Sequence, residues 1–131
     1  MAVKILIVDD HDVVRQGLRS LLGARPQWEI CGEAGDGREA VRLAQQLEPD
    51  VIILDVSMPV LGGLGAALEI TGCNPACKIL IVTMHKSVTL AAFARRSGAK
   101  GLVLKSRATQ DLVLALETVL AGETFFPQET T

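Results

Sequence analysis

The chain has 131 residues, 49% of them hydrophobic, a formal net charge of −2 and three cysteines. That is one domain's worth of chain with a sizeable core, and without any basic run it carries no electrostatic footprint for nucleic acid. No apolar segment reaches the length of a membrane span, the N-terminus enters a strand with no signal-peptide pattern, and the odd cysteine set (Cys31, Cys73, Cys77) fits a reducing, cytoplasmic setting better than a disulfide framework.

In chain order, short apolar runs alternate with longer periodic segments. The run Lys4–Val8 (KILIV) is the first predicted strand and leads directly into Asp9, Asp10 and His11. Val14, Leu18, Leu21 and Leu22 then repeat with helical spacing, with Asp12 placed to cap the helix. A strand follows at Glu29–Glu33, with Trp28 packing at its start. Asp36-Gly37 reads as a turn into a helix carrying Ala40, Val41, Ala44 and Leu47, stopped by Pro49.

The third strand is Val51–Leu54. Leu64, Ala67 and Leu68 mark a weaker helix, because Gly62, Gly63 and Gly65 dilute its propensity. The fourth strand is Lys78–Val82, followed by a helix through Val88, Ala91 and Ala92 that is capped by Gly98. The fifth is Gly101–Leu104, followed by the clearest apolar stripe, Leu112, Ala115, Leu116, Val119 and Leu120, ending at Gly122. Residues 123–131 have no period and read as a tail or a truncated linker, which sets the domain at 1–122.

Four of the five strand candidates are nearly continuous in Ile, Leu and Val. An antiparallel strand with one wet face would alternate; continuous runs suit parallel strands covered on both faces. Strand and helix recur five times in order. Right-handed crossovers therefore give an α/β fold, a doubly wound (βα)5 parallel sheet in three layers.

In such a sheet the functional crevice lies outside the carboxyl ends of the strands. Those ends are followed by Asp9 and Asp10, by Asp55, by Thr83 and by Lys105. Singly, each has an ordinary structural explanation. An Asp after a strand is commonly a turn residue or cap, and a lone Lys is commonly solvated. Together they place three carboxylates and one ammonium at one edge, a formal −2 that one Mg²⁺ would neutralise. No thiolate or imidazole pair favours Zn²⁺, and Cys73 and Cys77 lack companion ligands, so they read as core or loop residues. A carboxylate beside a hard cation, an ammonium and a hydroxyl is equipped to attack phosphorus, and it needs no general base because it is already ionised.

The segments "IVDDHDVVRQGL", "VIILDVSMPVLGG", "ILIVTMH" and "GAKGLVLKS" together resemble the receiver domain of bacterial two-component response regulators. The likeness covers roughly residues 3–122. "VDDH", "LKS" and "AGETFFP" further resemble the LuxR/NarL-type subfamily, in which a helix-turn-helix output domain follows the receiver.

The resemblance implies a flavodoxin-like strand order 2-1-3-4-5 and a phosphorylation-controlled switch, with no enzymatic activity beyond its own aspartyl phosphorylation and dephosphorylation. Asp55 matches the phosphoacceptor, supplied by a sensor histidine kinase. Asp10 and Asp55 match direct Mg²⁺ ligands (Mn²⁺ can substitute), Asp9 the acid that holds a metal-bound water, and Ser57 the backbone-carbonyl ligand. Lys105 would pair with a phosphoryl oxygen and Thr83 would hydrogen-bond another. Homodimerisation on phosphorylation is a further implication, as is DNA contact through an output domain outside this chain.

Some positions depart from the common pattern. Leu102 stands three residues before the lysine, where receivers are usually aromatic, so an aromatic form of the switch cannot operate. Gly62 sits where an acid is common, and Ser57 and His85 occupy the two variable positions that tune dephosphorylation in the family.

Other readings compete. A stand-alone receiver in a relay keeps the fold and changes the role. A haloacid-dehalogenase-type phosphohydrolase wants a second acid two residues after its nucleophile, where this chain has Ser57. A flavodoxin-like nucleotide module wants a phosphate-cradling loop where Asp9 and Asp10 would repel phosphate. His11 reads as a polar surface residue rather than a relay histidine. Phe125 and Phe126 either dock a neighbouring domain or pack on the last helix.

Overall fold

The computed structural model describes residues 2–56, 62–84 and 86–126. Its elements run β1 (Val3–Val8), α1 (Asp12–Leu22), β2 (Trp28–Ala34), α2 (Gly37–Leu47), β3 (Val51–Asp55), α3 (Gly63–Cys73), β4 (Lys78–Thr83), α4 (Val88–Arg96), β5 (Gly101–Leu104) and α5 (Ala108–Leu120), with a 3-10 turn at Lys105–Arg107. The strands form one parallel sheet in the order β2-β1-β3-β4-β5. It is the parallel (βα)5 arrangement that the uninterrupted apolar runs predict, in the flavodoxin-like order that the resemblance implies. Asp55 and Thr83 are themselves the last residues of their strands.

The continuous runs hide a division of labour. Ile5, Ile7, Val51, Ile53, Leu80, Val82 and Val103 pack with Leu18 and Leu22 of α1 and with Leu112, Ala115, Leu116 and Val119 of α5. Their neighbours Leu6, Val8, Ile52, Leu54, Ile79, Ile81 and Leu102 pack on the opposite face against Ala40 and Ala44 of α2, Ala66, Ala67 and Ile70 of α3, and Ala94 of α4. Successive strand residues point to opposite faces. A strand buried on both sides must therefore be apolar at every position. Extending the same alternation, Asp55 continues the α1/α5-facing row of Val51 and Ile53, and Thr83 the opposite row of Ile79 and Ile81.

Two glycines are required where they stand. A Cβ on Gly63 would lie 2.2 Å from the carbonyl oxygen of Asp55 and 2.5 Å from Cα of Val56. The first turn of α3 thus presses on the backbone that presents Asp55, and only glycine permits it. Gly98, one residue past the C-cap Ser97 of α4, has φ +96°, and its Cβ would lie 2.6 Å from Oγ1 of Thr71. The predicted stop signal there is a left-handed residue just after the cap.

Three boundaries differ from the sequence reading. Asp12 does not cap α1. It is the first helical residue, its carboxylate pairs with Arg15, and His11 occupies the extended N-cap position without a capping side-chain bond. Asp36 is more than a turn residue: its side chain caps α2 by accepting from the Glu39 amide at 2.8 Å. The aperiodic segment after Gly122 is partly ordered into the sheet. Phe125 forms a parallel bridge with Gly101, its amide donating to Lys100 O at 2.9 Å and its carbonyl accepting from the Leu102 amide at 2.8 Å. Phe126 packs on the α2/α3/α4 side, with the Arg95 guanidinium 4.0 Å from its ring centre. Trp28 opens β2 as expected, half-buried on the other face beneath Arg25. The opposite edge strand, β2, is broken by a register shift that leaves Cys31 as an extra residue opposite Ile5 and Leu6.

Candidate functional site

The carboxyl edge of the sheet gathers four of the six residues singled out from sequence into one contact network, places a fifth on the same edge, and leaves one undescribed. Asp9, Asp55 and Thr83 are buried, at 1%, 2% and 1% exposure. Lys105 reaches in from the end of β5, its side chain 15% exposed, and sets its ammonium 2.8 Å from Asp9 Oδ2 and 3.3 Å from Asp55 Oδ1. Burial works against the charged form of Lys105. The hydrogen bond to Asp9 and the negative charges of Asp55 and Asp9 outweigh it and hold the pKa above the ordinary lysine value. One ammonium therefore serves two buried carboxylates.

Asp10 faces outward beside them. The His11 ring nitrogen Nδ1 lies 2.9 Å from Asp10 Oδ1 and 3.2 Å from Asp9 Oδ1. Asp9 Oδ1 also accepts from the His11 amide at 2.9 Å. The turn role that explains a lone Asp after a strand is thus real, but it uses one oxygen of Asp9, and the other is turned to Lys105. Thr83 closes β4 on this edge, paired in register with Leu104 just before the lysine. Ser57 and His85 lie outside the described residues.

Two contributors were not singled out from sequence. His11, exposed as expected, nevertheless bridges the acid pair. Arg15 donates to the main-chain carbonyl of Asp9 at 2.5 Å and to Glu33 at 3.0 Å. Its position about one turn past the acids was the signal the sequence offered.

The donor set suits a hard cation. Asp9, Asp10 and His11 offer ligand atoms all within 4.8 Å of one another, two of the three being carboxylates. Carboxylate oxygens with open positions for water are what Mg²⁺ takes. Beside this lies a depression of about 450 Å³ lined by His11, Val14, Met84, Lys105 and Ser106, large enough to admit a phosphorylated group.

A family model, the response regulator receiver domain, matches residues 5–117. The chain belongs to the response regulator receiver family. Among relatives, this receiver is 40% identical over 129 residues to the transcriptional regulatory protein LnrK of Bacillus subtilis, covering 98% of this chain and 59% of the relative. It spans about three fifths of the length of the curated relatives it matches. Among solved structures, a two-component response regulator of the LuxR family from Aurantimonas sp. superposes with a TM-score of 0.91 at 39% identity, covering 95% of this chain and 89% of that one. The isolated receiver domain of RcsB from Salmonella enterica serovar Typhimurium, solved with the phosphomimetic BeF3−, gives 0.89 at 27% identity over 98% of this receiver and 95% of that chain. The Aurantimonas relative is of the LuxR family and a further solved neighbour is the receiver domain of the response regulator NarL from Mycobacterium tuberculosis, in line with the subfamily read from "VDDH" and "LKS". Among the described residues, no helix is long and apolar enough to cross a membrane.

Proposed function

We propose that this receiver takes a phosphoryl group on Asp55 from the phosphohistidine of a sensor kinase and thereby changes the surface it offers to partners. The observation that carries this reading is the Lys105 ammonium shared by Asp9 and Asp55, both buried, with Asp10 alongside. An Asp55 carboxylate oxygen attacks phosphorus, the new O–P bond forms as the N–P bond to the donor imidazole breaks, and the imidazole leaves with the electron pair and takes a proton. Lys105, already within reach of Asp55 Oδ1, pairs with a phosphoryl oxygen as charge accumulates. Asp10 and Asp55, with the carbonyl of Ser57 and a water on Asp9, would hold Mg²⁺ or Mn²⁺. When bound, such a cation neutralises charge on the transferring oxygens. Water that later attacks the acyl phosphate releases inorganic phosphate and regenerates the Asp55 carboxylate.

Thr83, at the end of β4, donates its hydroxyl to the phosphorylated site and draws in the loop that leads to α4. Leu102 is buried among aliphatics and offers neither ring nor hydroxyl to follow, so the vacated volume is filled by aliphatic repacking. The surface altered is that of residues 84–95 and 101–120, where self-association follows. Exposed Met84 lines the depression beside Lys105 and suits contact with the kinase. Regulation of transcription would pass through a DNA-binding domain like that of the LuxR-family relatives.

The test is intact mass after incubation with acetyl phosphate and Mg²⁺. One acid-stable, base-labile phosphoryl group is expected, and Asp55→Asn, nearly isosteric, should abolish it while the fold persists. Phosphorylation of Asp55→Asn at any site other than a neighbouring carboxylate would refute the assignment.

A further inference from the structure

Arg15 has no place in the chemistry above, yet its side chain is only 18% exposed and sits behind the acid loop. A single guanidinium meets three parts of the chain. Nη1 donates to the carbonyl of Asp9 at 2.5 Å, Nη2 pairs with the Asp12 carboxylate at the start of α1, and Nε donates to Glu33 Oε1 at 3.0 Å near the end of β2. Glu33 is itself braced, its second oxygen accepting from Arg19 Nη1 at 2.5 Å. The Asp9 amide donates to Ala34 O at 3.0 Å. The backbone of Asp9 is therefore anchored to the end of β2 on both sides, directly through its amide and through Arg15 at its carbonyl.

We propose that Arg15, braced by Glu33, is a positioning residue that fixes the Asp9–Asp10 peptide and so preorganises the acid pair for a divalent cation. The inference rests on the cation reading above. Adjacent carboxylates near a third repel one another, and a loop free to relax would have to be ordered at the moment of binding, which subtracts from affinity. A rigid five-donor fork spans a carbonyl and two carboxylates that lie apart; an ammonium offers its three donors from a single nitrogen and spans less. The charge of Arg15 acts in the opposite sense. A fixed cation behind the loop makes the edge less negative and by itself weakens binding of a divalent cation. Removing Arg15 thus separates the two effects by sign. A mere tie between α1 and β2 would change stability and leave affinity alone.

The experiment compares the full chain with Arg15→Lys, Arg15→Gln and Glu33→Gln. Mg²⁺ affinity is read from an amide NMR titration, loop order from metal-free linewidths of residues 9–12, and folding from thermal melts in EDTA. Loss of an outer-shell support of this kind typically weakens metal binding about 10- to 100-fold. Roughly tenfold or more is expected for both Arg15 variants, less for Glu33→Gln, with Asp10 and His11 broadened before metal is added. Arg15→Gln binding Mg²⁺ as tightly as the parent or tighter, while folded, overturns the proposal. So does unchanged affinity in Arg15→Lys against a parent that binds. A parent that binds no Mg²⁺ overturns the cation reading along with it.

Discussion

Both edges of the sheet bring a lysine and an aspartate together, and they use them differently. At the amino edge, Asp50 Oδ2 accepts from the main-chain amide of Lys4 at 2.7 Å, and the Lys4 ammonium donates to the carbonyl of Leu47. The Asp50 backbone completes the tie, its amide to Lys4 O at 2.8 Å and its carbonyl to the Lys78 amide at 3.1 Å. Each charge there ends on a peptide dipole. At the carboxyl edge, Asp9 and Asp55 face one shared ammonium and Asp10 stands beside them. Charges satisfied by backbone hold strands in register. Acids crowded around one ammonium repel one another and gain when another cation arrives.

The largest effect expected from breaking this contrast is at Lys105. Lys105→Met leaves two buried carboxylates without their ammonium and should cost about 3 kcal/mol, the scale for orphaning a buried charge. Because the deficit is one of positive charge, millimolar Mg²⁺ should restore much of it. Urea melts with and without Mg²⁺ check both points, and a loss that Mg²⁺ leaves untouched would mean the edge is not limited by charge. Next in size is Gly63→Ala. Its methyl would press on the backbone of Asp55 and Val56, so α3 must shift, at about 2 kcal/mol on the overpacking scale. The thermal midpoint should fall, and the rate of phosphorylation by acetyl phosphate with it.

A smaller pair of substitutions crosses the two edges. Asp50→Ala should lose about 1 kcal/mol of stability through its hydrogen bond and leave Mg²⁺ affinity alone. Asp10→Ala should do the reverse, abolishing Mg²⁺ binding while the metal-free protein holds or gains stability by relief of repulsion. Equal behaviour of the two variants in a Mg²⁺ titration would erase the distinction between the edges.

The last effect is confined to the alkaline limb. Burial pushes the Cys77 thiol, next to the start of β4, from the ordinary 9.0 to about 12. An unfolded chain therefore gives up that proton from about pH 9 while the folded one keeps it, so stability falls as pH rises between those values. Cys31, also raised by burial, acts in the same direction. The pKa of Lys105 is raised too, so its contribution is fully present below about pH 10.5 and is lost as pH climbs through its higher folded value. The amino edge should thus weaken first. In melts from pH 8 upward, Cys77→Ala should delay the onset of the decline, and Lys105→Met should flatten only its upper part.

The fold was legible because full burial leaves a plain mark. Runs such as Ile5–Val8 and Ile79–Val82 have no polar position to spare, and only a sheet covered on both faces asks for that. The meeting of Asp9, Asp55 and Lys105 was legible for a related reason: each follows or ends such a run, and parallel strands bring those ends to one edge. What escaped depends on loop geometry. Whether Asp12 or His11 precedes the first helical turn turns on a single φ,ψ pair, and the side chain of Asp12 was drawn off by Arg15. Arg15 reads as an ordinary helix-surface cation until the end of β2 is seen beside it. Gly63 looked like a weakness in α3, because the close approach that demands it is made by a strand eight residues earlier. Phe125 joins the sheet through one bridge, too short for any period to show.

That bridge also fixes a mechanical distance. Phe125 grips β5 at Gly101 and Leu102, and Lys105 leaves the same strand three residues later. At about 3.3 Å of rise per residue, the site lysine and the exit of the chain are joined by a stiff rod on the order of 10 Å long, with no loop in series. A twist or slide of β5 imposed at its carboxyl end would act on the Phe125 bridge through the strand alone. It arrives at the end of the strand opposite the acids, on a segment that the Arg95 guanidinium over Phe126 also ties to α4.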